Sequence, residues 1–219
     1  KNTNLILGKK RKEIKKKLIN KKKKLLLFDD GLQDKYIDYD LKFVCFDTNK
    51  WIGNGRLIPS GPLREKMDSL KKYDVVFLKG EKRSNKTFTR LIYKINPKIK
   101  VFTTKFEITN LKKFNKKDNF LIFSGIGNSD DFKKTLLKNK FKVVKEIVYP
   151  DHYQYKNSDI KKINNLAKKM NAKIITSEKD YVKIRLLNYK NINFLKINLL
   201  INDKKKLLNF IKSKFYEKN

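Results

Sequence analysis

Short apolar runs, each closed by a polar or glycine-containing turn, recur along this chain and fix its class. They fall at Leu25–Phe28, Lys42–Phe46, Asp74–Leu78, Lys100–Thr104, Phe120–Ser124, Phe141–Tyr149, Lys173–Thr176 and Asn193–Ile197. Runs of this length read as strands of a buried, mostly parallel sheet. Helical signals lie between them. Lys9–Lys24 carries Ile14, Leu18 and Ile19 at helical spacing, and Leu63–Lys72 opens near Pro62. Thr87–Ile95 is closed by Asn96-Pro97, and another helix starts near Ser129 with Asp130 and Asp131 in its first turn. Ser158 is placed to cap a helix reaching Met170, and Asp203–Phe215 forms the last one. Strand and helix alternating in this way predict an α/β protein with mainly parallel sheets. The polar stretch Asn110–Asn119 has neither period and sets a domain boundary there, giving 1–112 and a smaller α/β domain, 113–219, with a C-terminal helix.

The most informative turn is Asp29-Asp-Gly-Leu-Gln33, which follows the first apolar run. Carboxylates at the carboxyl end of a parallel strand sit where α/β sheets bind ligands. An adjacent acidic pair suits Mg²⁺, which takes hard oxygen ligands and keeps waters and phosphate oxygens beside them. That is the layout of a Walker-B strand. Asp-Gly is also a common turn dipeptide, so a solvated turn is the competing reading.

A second candidate is the loop Gly53-Asn54-Gly55-Arg56 through Gly61-Pro62-Leu63-Arg64-Glu65. Its glycines permit close backbone approach to a ligand, and its arginines suit phosphate oxygens. His152, the only histidine, follows Asp151 in a Pro-bounded loop after a strand, a position fit for a general base or for orienting one. With no second histidine it cannot belong to a histidine-cluster metal site. Gly125-Ile-Gly127 lacks the third glycine of a dinucleotide fingerprint, and Asp130 and Asp131 would repel a pyrophosphate, so it reads as a tight strand-to-helix turn. Glu178-Lys179-Asp180 reads equally as an ion-paired helix start or as support for the site.

Composition excludes more than it identifies. No apolar run is long enough to span a bilayer, and no signal-peptide apolar region follows the Lys-rich start. The single cysteine, Cys45, rules out an internal disulfide and reads as a buried, inert thiol. The net charge of +34 suggests a polyanion partner. Yet nearly all of that charge is lysine; arginine, the residue that grips phosphate bidentately, occurs only at Arg11, Arg56, Arg64, Arg83, Arg90 and Arg185. The abundance of Lys, Asn, Ile, Phe and Tyr fits drift toward A/T-rich codons, which leaves a solvated basic face and makes nucleic acid an unexpected partner.

Several motifs together resemble one family, the tetraacyldisaccharide 4′-kinases that phosphorylate the lipid A precursor in Gram-negative bacteria. The matching stretches are Asp29–Gln33, Gly53–Glu65, Gly125–Asn128, Asp151-His152 and Glu178–Asp180 with Lys183, in the family's order. The resemblance implies a P-loop-type kinase domain over 1–112 and a smaller α/β domain, with the active site in the cleft between them. It implies ATP and Mg²⁺ as cofactors and transfer to the 4′-hydroxyl of a tetraacyldisaccharide 1-phosphate. By the same resemblance Asp29 and Asp30 are the metal pair and His152, Glu65 and Arg64 are catalytic. Asn54, Gly55, Arg56, Glu178, Lys179 and Asp180 then bind nucleotide or substrate. The expected location is the cytoplasmic face of the inner membrane, on an anionic lipid surface.

Two departures accompany the resemblance: Asp34 and Ser129 stand where the family has histidine and proline. The sequence also contains no G-x-x-x-x-G-K-[ST] loop. In the family that loop lies upstream of the acidic pair, so the chain is expected to be the C-terminal two-thirds of the enzyme and inactive alone. A basic nucleic-acid-binding module and a catalytically dead lipid-binding relative are the alternatives.

Overall fold

The structure, a computed structural model, describes residues 5–8, 11–19, 25–80 and 82–216. The chain forms two compact units, one of residues 1–104 with 201–219, the other of residues 105–200. The flanks of the basic run, at 9–10 and 20–24, lie outside the described residues; its centre is helix α1 (Arg11–Ile19).

The first unit is built on β1 (Phe43–Asp47), β2 (Val75–Lys79) and β3 (Lys100–Ile108), with α2 (Lys82–Ile95) between β2 and β3. The strands pair in parallel in the order β1-β2-β3. Strand side chains alternate between faces, and β2 shows the consequence. Val76 and Leu78 pack with Leu70, Ile92 and Ile99, while Val75 packs on the other side with Phe102 and Leu207. Each large apolar side chain buried this way contributes about 1.5–3 kcal/mol. The chain leaves this unit along β3 and returns along β8 (Ile197–Ile201), which joins the same sheet.

The second unit carries β4 (Asn119–Ser124), α3 (Ser129–Lys138), β5 (Lys142–Val148), α4 (Asn157–Lys169), β6 (Ala172–Ser177), α5 (Glu178–Ile184) and β7 (Ile192–Leu195). All neighbours are parallel, in the order β5-β4-β6-β7. β4 is central and almost wholly buried. Leu121 and Phe123 face Ile160, Ile163 and Ala167 of α4, whereas Phe120 and Ile122 face Leu136 of α3. Because β5 lies on one side of β4 and β6 on the other, the strand order reverses there. That leaves a crevice at the strands' carboxyl ends.

Several expectations change. Leu25–Phe28 is not a strand; Leu25 and Leu27 are 58% and 81% exposed. A strand requires a ladder partner, and among the described residues β1 is bonded only to β2. Cys45, expected to be buried, is exposed on β1, although its neighbours desolvate the thiol enough to push its pKa up. Leu63–Lys72 yields only a 3-10 segment at Met67–Lys72, and Leu63 bridges to Leu57 instead. Helix α4 begins at Asn157, one residue before Ser158, with Asp159 accepting the backbone N–H of Lys156 at 2.9 Å. The division falls at 104/105, and the C-terminal helix α6 (Lys204–Tyr216) groups with the first unit because Leu207 packs on Val75 and Phe102. Among the described residues no helix is long and apolar enough to cross a membrane.

Candidate active site

Candidate side chains gather in one cluster within each unit. In the first unit Asp29 and Asp30 lie in a turn, with Asp30 at a φ of 52°. The Arg11 guanidinium donates to the backbone carbonyls of Asp29 and Asp30 at 3.1 and 3.0 Å, and Tyr39 Oη donates to the carbonyl of Gly31 at 2.8 Å. Arg11 therefore bridges α1 and the acidic turn. Its role was invisible in the sequence, apart from its being the one arginine in a lysine run.

Two stretches far apart in sequence meet here. Arg64 ion-pairs with the Asp30 carboxylate, and Gln33 Nε2 donates to Glu65 Oε1 at 2.7 Å. The Arg64 hydrogen bond holds the Asp30 carboxyl below its usual range. At Glu65 burial works to raise the pKa, but hydrogen bonds from Gln33, Tyr73 and Ser69, with the nearby Lys72, outweigh it and hold it low. Burial, reinforced by Glu65, pushes the Tyr73 phenol up, so it remains a donor at neutral pH. The result is a cluster of two carboxylates and a guanidinium with defined protonation.

The loop feeding this cluster is closed by its own hydrogen bonds. Gly53 and Gly55 take φ values of 56° and 72°, which L side chains adopt only with strain. Asn54 braces the loop, its Nδ2 donating to the Ser60 carbonyl at 2.7 Å and its Oδ1 accepting the Arg56 N–H at 3.1 Å. The Leu63 N–H then bonds the Arg56 carbonyl at 3.1 Å, which sets Arg64 and Glu65 against Asp30 and Gln33. Arg56 is exposed. A groove of ≈1090 Å³ opens beside this cluster, and its lining includes Asp29, Asp30, Arg64 and Glu65 together with apolar Leu27 and Phe215.

The second cluster sits at the reversal point of the other sheet. Asp151 and His152 follow β5 in the loop that leads to α4; His152 is 75% exposed and has a φ of 62°. Asp151 Oδ1 accepts the His152 backbone N–H at 2.9 Å and faces Lys179 Nζ at 3.4 Å. Burial would raise the Asp151 pKa, but the His152 N–H and the Lys179 ammonium lower it below the usual carboxylate range. His152 Nε2 lies 3.8 Å from Asp151 Oδ2. Of the acidic residues expected at the start of α5, Glu178 is half-buried and Asp180 is wholly buried. Asp180 is bonded inward to Gly125 and Ser177, while Lys179 pairs with Asp151 in the His152 loop.

The profile of the tetraacyldisaccharide-1-P 4′-kinase family matches residues 1–216. The chain is 46% identical over 201 residues to the tetraacyldisaccharide 4′-kinase of Pelagibacter ubique, an alignment covering 92% of this chain and 64% of that protein. It is 35% identical over 196 residues to the Rickettsia canadensis enzyme, covering 89% and 57%. The chain thus spans less than two-thirds of the length of these relatives. A crystal structure of the apo form of LpxK from Aquifex aeolicus in complex with ATP shares the fold, with a TM-score of 0.58 at 22% identity, over 85% of this chain and 56% of that one. Because the profile matches residues 1–216, this chain belongs to the tetraacyldisaccharide-1-P 4′-kinase family.

Proposed function

We propose that the chain provides the acidic-turn and histidine portions of a kinase that transfers the γ-phosphoryl group of ATP to the 4′-hydroxyl of a tetraacyldisaccharide 1-phosphate. The observation that carries this reading is the joining of Asp29–Gln33 to Arg64-Glu65 in one charged, hydrogen-bonded cluster. Phosphoryl transfer needs positioning and charge neutralisation more than covalent chemistry from the protein. A guanidinium beside paired carboxylates supplies that combination of charges.

Asp29 and Asp30 suit Mg²⁺ by donor chemistry, since adjacent carboxylates on an exposed turn leave room for water and phosphate oxygens. When bound, the ion would offset charge on the ATP phosphates. Arg64 keeps Asp30 ionised and stands ready to face phosphate oxygens itself. His152 takes the proton of the sugar hydroxyl, with Asp151 and Lys179 fixing its loop. No Walker A signature occurs in the 219 residues. In this reading the phosphate-gripping loop comes from sequence outside them, and the chain by itself turns over negligibly. The +34 charge favours a peripheral position on the anionic cytoplasmic leaflet of the inner membrane.

The test is ATP-dependent phosphorylation of a tetraacyldisaccharide 1-phosphate by the native gene product and by its His152→Ala variant. General-base loss should lower kcat by about 10²–10⁴-fold while the melting temperature stays put. An unchanged rate removes His152 from the chemistry.

A further inference from the structure

Asp180 is the one charged side chain among the described residues that is fully buried, and the chemistry proposed above does not use it. Burying a carboxylate is costly unless its partners satisfy it. Here they do. Oδ2 accepts from Gly125 N at 3.0 Å and from Ser177 Oγ at 2.6 Å, while Lys183 Nζ lies 3.3 Å from Oδ1. Ser177 Oγ in turn accepts the Asp180 backbone N–H at 3.1 Å, closing the N-cap of α5.

The Gly125 bond points to what this buried charge achieves. Gly125 is the first residue after β4, and the loop carrying His152 lies directly on it. A Cβ placed there would come within 3.0 Å of Tyr155 Oη, 3.1 Å of the Pro150 carbonyl oxygen and 3.2 Å of Tyr153 Cβ. The same turn of α5 reaches the loop again through Lys179 and Asp151. Meanwhile His152 holds a left-handed backbone conformation, which costs energy and persists only where the surroundings over-determine it. One helical turn thus holds the loop at two points, from below through Gly125 and from the side through Asp151.

We propose that Asp180 is a positioning residue for His152: by fixing the Gly125 backbone it sets the floor on which Pro150–Tyr155 rests, and so the place of the imidazole. The idea deepens the kinase reading and draws its functional meaning from it, but the placement can be tested without it.

His152 is the only histidine in the 219-residue chain. Its imidazole C–H signals in proton–carbon correlation NMR therefore report this loop alone. Asp180→Asn puts an amide N–H₂ or a neutral oxygen opposite Lys183 and Gly125. The variant should keep a cooperative melt while the His152 signals broaden or move toward those of a free histidine. If Asp180→Asn loses its cooperative melt, Ser177→Ala, which removes one of the two donors to Oδ2, should produce the same shift in a folded chain. Unchanged His152 signals in whichever of the two variants is folded overturn the proposal. In the native gene product, Asp180→Asn should lower kcat and leave the KM for ATP within about twofold, the split expected when only transition-state geometry is lost. No phosphorylation by the native gene product would defeat the kinase reading, and a full rate for His152→Ala would remove His152 from the chemistry, yet in either case the NMR result would still decide whether Asp180 places the loop.

Discussion

Glu65 shows how a single residue acquires its character from its surroundings. In sequence it is one acid at the end of a Gly/Pro loop. In the structure Gln33 donates to it, and Tyr73 and Ser69 add their hydrogen bonds. Its folded pKa lies below the usual 4.5, so the unfolded chain binds the proton more tightly. The stability this provides is complete above about pH 4.5 and disappears as the pH falls through the lower folded value. Glu65→Gln should therefore be less stable than the parent at pH 7, by about 1 kcal/mol for a weakened hydrogen-bond set. The two should converge at acid pH, once it falls below the lowered folded pKa. Urea titrations at both pH values measure this; a constant gap between the curves would contradict the assignment.

At the scale of an element, α3 and α5 start in related ways. Asn128 Oδ1 accepts the Asp131 N–H at 3.4 Å, and Ser177 Oγ accepts the Asp180 N–H at 3.1 Å. Each cap follows the carboxyl end of a central strand, so capping also fixes the turn that lines the crevice. The Asn128 bond is long, and its loss alone is mild. Asn128→Ala should cost about 0.5–1 kcal/mol, read as a lower urea midpoint with an unchanged slope. β1 illustrates the opposite case. Bonded, among the described residues, to β2 alone, it keeps a free edge, yet Leu25–Phe28 does not pair with it. A run that looks like a strand becomes one only where it joins a ladder.

Across the whole molecule, each unit has its own hydrophobic core. Trp51, the only tryptophan, stacks on Phe88 at 3.9 Å and touches Phe46 at 5.0 Å, so its fluorescence reports the first unit alone. Phe123 is fully buried in the second. Phe123→Ala should cost about 3–5 kcal/mol there. The far-UV circular dichroism transition would then shift to lower urea, while the Trp51 transition would move much less. Coincident transitions in the variant would mean that the units unfold as one.

The α/β class, the strand–helix alternation and most element positions were legible in the sequence, because apolar period and turn chemistry are local properties. Many of the residues in the two clusters were legible too, since glycines, paired carboxylates and a lone histidine stand out in a lysine-rich chain, whereas Arg11, Tyr39, Ser69 and Tyr73 were not. What tertiary structure decided was contact. It joined Asp30 to Arg64 and Gln33 to Glu65 across more than thirty positions of chain. It sent Asp180 inward onto Gly125 and Ser177, and it assigned the C-terminal helix to the first unit. Burial and pairing depend on neighbours distant in sequence, and no local pattern records which neighbours the fold will supply.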